Sequence, residues 1–210
     1  MKLPRIYPIT DVQLSGLSHA EQVELLSQGG ASLIQLREKQ MSVREFFEQA
    51  RAAVAVAGRN GVHLIINDRV DIALAVGAHG VHLGQDDMPA AAARELLGPN
   101  AVIGYSTHNI EQAIAATKLP IDYFAIGPIF ATMTKSDTAP VLGIEGLRAV
   151  RLAIGAFPLV AIGGINHTNA RDVISAGADS VAVISALLSD SGRISEVTGS
   201  LLQDLQDFSG

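Results

Sequence analysis

Eight short runs rich in Ile, Val, Leu and aromatic residues recur along this chain, separated by Ala-rich segments of helical period. The expected strands are "RIYPITD", "SLIQLRE", "HLIIND", "GVHLG", "VIGYS", "YFAIG", "PLVAIG" and "SVAVIS". Helices are expected at segments such as "SHAEQVELLSQGG", "SVREFFEQARAAVAVAGR", "RVDIALAVGA", "NIEQAIAATKL" and "HTNARDVISAGA". The passage from helix to strand goes through Gly-Ala three times, at Gly30-Ala31, Gly77-Ala78 and Gly177-Ala178, where glycine takes the left-handed turn that ends a helix. Strands alternating with helices make a parallel sheet, and right-handed crossovers leave few topologies open. Eight such units predict an α/β fold of one compact (β/α)8 TIM barrel, with loops shorter than in a typical barrel of about 250 residues. The competing arrangement is an open doubly wound sheet. Against it, no Gly-x-Gly-x-x-Gly follows the first strand, where a dinucleotide fold would place one.

With 210 residues, 48% of them hydrophobic, the chain suits one well-buried catalytic domain over residues 1–210. Lys and Arg number 15 against 21 Asp and Glu, a formal charge of −6, so no global basic field draws nucleic acid or anionic lipid. Any anion site must be local. The lack of cysteine excludes disulfides, thiolate metal sites and cysteine nucleophiles together, and it fits a reducing compartment. No run is long and apolar enough to span a bilayer, and "MKLPRIYPITDVQ" has no continuous apolar signal core. A soluble, cytoplasmic protein is therefore expected.

The active site of such a barrel lies at the carboxyl ends of its strands, so the residues after each run form a test. Strand two ends in Gln35, Arg37, Glu38 and Lys39; strand three in Asn67-Asp68; strand four in Gln85, Asp86 and Asp87; strand five in Ser106, Thr107 and His108. Strand six runs into "GPIFATMTKSDTAPVLG", strand seven into Gly163-Gly164 and strand eight into Ser185. Asp68, and equally Asp86-Asp87, could cap the helices that follow. Alternatively, carboxylates ending adjacent strands about 4.8 Å apart repel unless a cation lies between them, and Mg²⁺ would suit such a pair. Arg37 and Lys39, two apart, would share one face of a strand, and with Lys135 they look like a pyrophosphate clamp. The long loop after strand six would be a binding loop with Thr132, Thr134 and Lys135 as its working residues. Gly163-Gly164 is either a tight turn or a backbone phosphate site. Among the histidines, His63 and His82 read as interior, and His19, His79 and His167 as helix-end or surface positions. His108, in a cap position, is the one to test as acid or base.

The motifs "QLREK", "NDRVDIALAVGAHGVHLGQDD", "IGYSTH", "FAIGPIFATMTK", "VAIGGI" and "VISAL", in this order over nearly the whole chain, resemble the thiamine-phosphate synthase family. The resemblance implies condensation of hydroxymethylpyrimidine pyrophosphate with a thiazole phosphate, releasing pyrophosphate through a carbocation-like pyrimidine. It implies that Gln35, Leu36, Arg37, Glu38, Lys39, Asn67, Ser106 and Lys135 bind the pyrimidine pyrophosphate, with Arg37, Lys39, Ser106 and Lys135 catalytic. Thr132, Met133, Thr134, Gly164, Ile184 and Ser185 would hold the thiazole phosphate. Asp68 and Asp87 would ligate one Mg²⁺ per subunit, leaving Asp86 at a helix start or behind the ligands. The implied partners are two phosphorylated small molecules, with neither nucleic acid nor membrane; a homo-oligomer stays open. The alternatives are a thiazole tautomerase, whose family places a histidine where this chain has Pro128 after Gly127, and a non-catalytic sensor of thiamine precursors.

Overall fold

The sequence Ser-x-x-Glu starts two helices by the same device. Ser18 and Ser42 each accept the backbone N–H of the glutamate three residues on, Glu21 or Glu45, and that carboxylate receives the serine's own N–H in return. A computed structural model describes residues 2–132 and 140–207 of the chain. Eight strands run in order through it: β1 (Ile6–Pro8), β2 (Leu33–Leu36), β3 (His63–Asn67), β4 (Gly80–Leu83), β5 (Val102–Thr107), β6 (Tyr123–Ile126), β7 (Leu159–Ile162) and β8 (Ser180–Val183). All pair in parallel, in the order β1-β8-β7-β6-β5-β4-β3-β2. An isolated bridge from Ile9 to Gln35, with the Thr10 N–H donating to Gln35 O at 2.9 Å, joins the two ends of that order. The result is the expected (β/α)8 barrel.

The helices are α1 (Val12–Ser15), α2 (His19–Gln28), α3 (Val43–Asn60), α4 (Val70–Val76), α5 (Ala90–Leu97), α6 (Ile110–Ala116), α7 (Gly143–Ile154), α8 (Ala170–Ser175), α9 (Ser185–Leu188) and α10 (Ile194–Gln206). Alanines Ala50, Ala53, Ala57, Ala73, Ala93 and Ala113 form much of their buried surface, so the helices lie close on the sheet. Opposite them the strands present Ile34, Leu36, Leu64, Ile66, Leu83, Phe124 and Ile126, all fully buried. Gly30, Gly77 and Gly177 have φ of 90°, 68° and 109°, the left-handed turns expected at those three junctions. No described helix is long and apolar enough to cross a membrane.

At the end of the barrel opposite the rim, two arginine clamps repeat one design. The Arg94 guanidinium donates to the carbonyls of Gly98, Ala101 and Pro120 and, at 2.8 Å, to the Asp122 carboxylate, which also accepts the Ile103 N–H. Arg151 does the same to Gly155, Phe157, Gly177 and Asp179, and Asp179 accepts the Leu159 N–H. Each arginine lies 28 residues before its aspartate. These carbonyls end helices or precede strands and would otherwise lack partners. Arg94→Ala is expected to cost about 2 kcal/mol of stability. Urea unfolding should show a lower midpoint at unchanged slope; an unchanged midpoint would mean that water replaces the guanidinium without loss.

Candidate active site

Strand parity decides which side chains reach the barrel interior. Gln35, Asn67, His82 and Ser106 share the inward parity, whereas Leu36 is wholly buried on the helix side and can offer a ligand only its backbone. Inside, the Gln35 amide donates to the Tyr7 hydroxyl at 3.2 Å, Tyr7 and Tyr123 hydroxyls meet at 2.7 Å, and Tyr123 lies 3.1 Å from His82 Nδ1. His82 Nε2 then stands 2.9 Å from Ser106 Oγ. Burial pushes the Tyr7 and Tyr123 phenols well above their ordinary range, so both stay protonated as hydrogen-bonding hydroxyls. This chain crosses the barrel from β2 to β5 and sets the floor on which Gln35 and Ser106 stand. The expectation of an interior His82 holds; its polar neighbours Tyr7 and Tyr123 were missed, although inward parity from Ala125 and Ile9 marks both.

Above the floor, the carboxyl ends of β2, β3 and β4 bring Lys39, Asp68 and Asp87 together. Asp68 is the one described non-glycine residue with positive φ, 62°. Its backbone N–H donates to His82 O at 2.8 Å, and its carboxylate is ion-paired to Lys39 Nζ. Asp87 accepts the Gly84 N–H at 2.6 Å. Burial, with the neighbouring Asp68 carboxylate adding to it, raises the Asp87 pKa above the ordinary carboxylate value, against the pull of Gly84 and Lys39. Neither aspartate caps a helix. The N-cap of α4 is Arg69 and that of α5 is Pro89, neither with a side-chain capping bond, and Asp86 is exposed. The capping alternative is therefore set aside for all three.

Other expectations need correction. β2 ends at Leu36, so Arg37 and Lys39 lie in a loop and share no strand face. Glu38 turns away from the rim: its Oε1 receives the N–H groups of Lys39, Gln40 and Met41 at 2.7, 2.6 and 3.1 Å. Burial pushes that carboxyl up, but the three donors and His19 together bring it below its usual range. His19 stands at a helix end, as the first residue of α2, but is fully buried, while His63 is exposed, not interior. His79 is exposed, as expected, and accepts the Leu64 N–H, and His167 stands 3.7 Å from Asp204. Asn109, not His108, caps α6; His108 Nδ1 instead donates to Gly127 O at 2.8 Å.

A cleft of about 670 Å³, measured to its open mouth, occupies the other half of the rim. Ser106, His108, Pro128, Thr132, Gly164, Ile184 and Ser185 line it, so the structure gathers every described member of the expected thiazole-phosphate set beside Ser106. Gly163 and Gly164 have φ of 103° and 65°. A Cβ on Gly164 would fall 2.7 Å from Ala131 O, so only glycine lets this backbone lie against the segment after β6. Met133, Thr134 and Lys135 lie outside the described residues. The Gln85 amide donates to Ser106 O at 2.5 Å and ties the acidic corner to the cleft.

No group of three or more His, Asp or Glu side chains with metal-binding geometry occurs among the described residues. Two carboxylates, however, fit a hard cation that keeps most of its shell as water and phosphate oxygen. The raised Asp87 pKa means that, without such a cation, its stabilising contribution is full below the ordinary carboxylate range and is lost as pH rises through the shifted value. Asp87→Asn is accordingly expected to raise the melting temperature of the metal-free chain at neutral pH, with the gain vanishing in acid. Equal melting temperatures at neutral pH would show that the pair is not repulsive.

The thiamine monophosphate synthase family model matches residues 6–187. Thiamine-phosphate synthase of Chloroflexus aurantiacus is 51% identical over 185 residues, covering 88% of this chain and 85% of its own. That of Koribacter versatilis is 49% identical over 197 residues, covering 90% and 92%. A thiamine phosphate pyrophosphorylase structure from Pyrococcus furiosus superposes with a TM-score of 0.88 at 38% identity, covering 98% of this chain and 97% of the other.

Proposed function

This chain belongs to the thiamine monophosphate synthase family of transferases, and from that premise we propose how its rim performs the reaction. A thiazole phosphate nitrogen attacks the methylene of hydroxymethylpyrimidine pyrophosphate, the C–O bond to pyrophosphate breaks, and thiamine phosphate and pyrophosphate form. One observation supports this reading most: a charged corner built from Lys39, Asp68 and Asp87 adjoins, through Ser106, a cleft large enough for a second ring and its phosphate. Two subsites side by side are what a two-substrate condensation needs.

In this reading Gln35 and Ser106 orient the pyrimidine, held by the Tyr7–Tyr123–His82 floor. Asn67, 9% exposed at the end of β3, faces the same space. Arg37 and Lys39 neutralise the pyrophosphate, and the negative charge that grows on it as the bond breaks is the main demand on the site. Asp68 and Asp87 would hold Mg²⁺, which when bound supplies Lewis-acid stabilisation of the leaving group. Lys39, tied to Asp68 in the free chain, would turn to the phosphate oxygens. Lys135 is proposed as the third cation, with Thr132, Met133, Thr134, Gly164, Ile184 and Ser185 around the thiazole phosphate. The mostly apolar wall of Ile162, Ile165, Ala182 and Ile184 keeps water from the reacting carbon. No protein nucleophile is needed. Holding the nitrogen in line with the methylene is a proximity effect worth several kcal/mol, about 7–11 at best.

The direct test is pyrophosphate release from the pyrimidine pyrophosphate, with and without thiazole phosphate, and with Mg²⁺ or EDTA. Release is expected only with both substrates and Mg²⁺, with thiamine phosphate appearing in step; thiazole binding without release would return the tautomerase or sensor to consideration. Gly164→Ala tests the second subsite. It should raise the KM for thiazole phosphate at least tenfold, about 1.4 kcal/mol, and leave the pyrimidine KM near wild type. Equal effects on both would move Gly164 out of that subsite.

A further inference from the structure

Behind the pyrophosphate clamp lies a buried histidine that the chemistry above leaves unused. His19, the first residue of α2, and Thr10, just after β1, are both 0% exposed. His19 Nδ1 lies 2.7 Å from Thr10 Oγ1, and Thr10 Oγ1 accepts the Arg37 backbone N–H at 3.3 Å. On the other side of the ring, His19 Nε2 faces Glu38 Oε2 at 3.6 Å, too long for a hydrogen bond but close for a charge facing a dipole. Nε2 is buried without a hydrogen-bond partner. Glu38 in turn gathers the N–H groups of residues 39, 40 and 41 on its other oxygen. Both ends of the Arg37–Met41 segment therefore converge on one imidazole, the first through Thr10 and the second through Glu38.

The geometry selects one tautomer. Were the proton on Nδ1, the Nε2 lone pair would point at a carboxylate in a dry site, which is repulsive. With the proton on Nε2, that N–H points at the carboxylate, and Nδ1 accepts the Thr10 O–H, leaving the Thr10 lone pair for the Arg37 N–H. Every group is then matched in one direction. Burial lowers the His19 pKa against the opposing influence of Glu38, which keeps the ring neutral and the tautomer meaningful.

We propose that His19 is a positioning residue for the pyrophosphate clamp: its Nε2–H steadies the Glu38 carboxylate around which the loop carrying Arg37 and Lys39 folds. The proposal rests on the functional reading above, since it assigns Arg37 and Lys39 to the pyrophosphate. Contacts of this kind are often long in a free enzyme and tighten when substrate loads the site.

Two substitutions separate positioning from packing. Gln at position 19 keeps an N–H near the place of Nε2; Asn keeps an acceptor near Nδ1 for Thr10 but cannot reach Glu38. His19→Asn is expected to raise the KM for the pyrimidine pyrophosphate about five- to tenfold, the size of one ordinary polar contact. The thiazole phosphate KM should stay near wild type, and His19→Gln should restore most of the loss. If Asn and Gln shift both KM values alike, or neither shifts any, the positioning role is overturned. Because either variant could weaken the fold, the wild-type chain supplies a second measurement. Its ¹⁵N spectrum at neutral pH should show His19 protonated on Nε2 and bare on Nδ1, and the opposite tautomer would defeat the proposal. That spectrum needs no turnover, so an inactive wild-type chain would count against the functional reading alone.

Discussion

A parallel barrel must close on itself, and here the closure between β1 and β2 is slender. Where other neighbours share three or four paired positions, this seam is marked by one bridge, Ile9 to Gln35, and the Thr10 N–H on Gln35 O. All of it lies at the rim. The same few residues then carry the site: Gln35 reaches the interior floor, Thr10 holds the Arg37 amide, and His19 stands behind both. Closing the sheet and shaping the charged corner of the rim are thus one structural event. Without the seam, β2 would lose the fixed position from which Arg37, Glu38 and Lys39 are presented.

The rim and the floor solve opposite problems. The floor is a buried chain of hydroxyl, amide and imidazole groups, each bonded to the next, which gives rigidity and a fixed orientation. The acidic corner is the reverse: two carboxylates close enough to raise one another's energy, one of them on a backbone with φ of 62°. Strain of this kind, about 1–3 kcal/mol for a residue in a sparsely populated region, persists only where surrounding contacts fix it. Here the Asp68 N–H to His82 O bond and the Lys39 ion pair do so. A positive charge placed between the two carboxylates would relieve that repulsion.

The barrel was legible in the sequence because its period is written twice, in the alternation of strand and helix and in the glycines that end the helices. The places of Asn67, Asp68, Asp87 and Ser106 at the carboxyl ends of strands were readable for the same reason, since position after an apolar run implies position on the rim. What escaped was anything set by a loop's own path. Arg37 and Lys39 were assigned a strand face, but β2 stops at Leu36, and Glu38 looks like a rim carboxylate until the loop folds its backbone around it. The burial of His19 at its helix end and the exposure of His63 within its apolar run escaped because burial of a polar residue depends on what packs over it. The end of β1 and Glu38 cover His19, whereas His63 at the start of β3 meets only the edge of the exposed His79 ring among the described aromatic contacts.

The two arginine clamps carry a consequence for the order of assembly. Each fastens strands within one stretch of chain, with 28 residues between guanidinium and carboxylate, whereas β1 must find β8 across almost the entire chain. Loop entropy rises only slowly with length, yet long-range contacts repay it late. The second half of the barrel, β5–β6 and β7–β8, can therefore take shape as two locally stapled pieces before the first strand docks. On that route the catalytic rim, which needs the β1–β2 seam, is the last part of the molecule to exist.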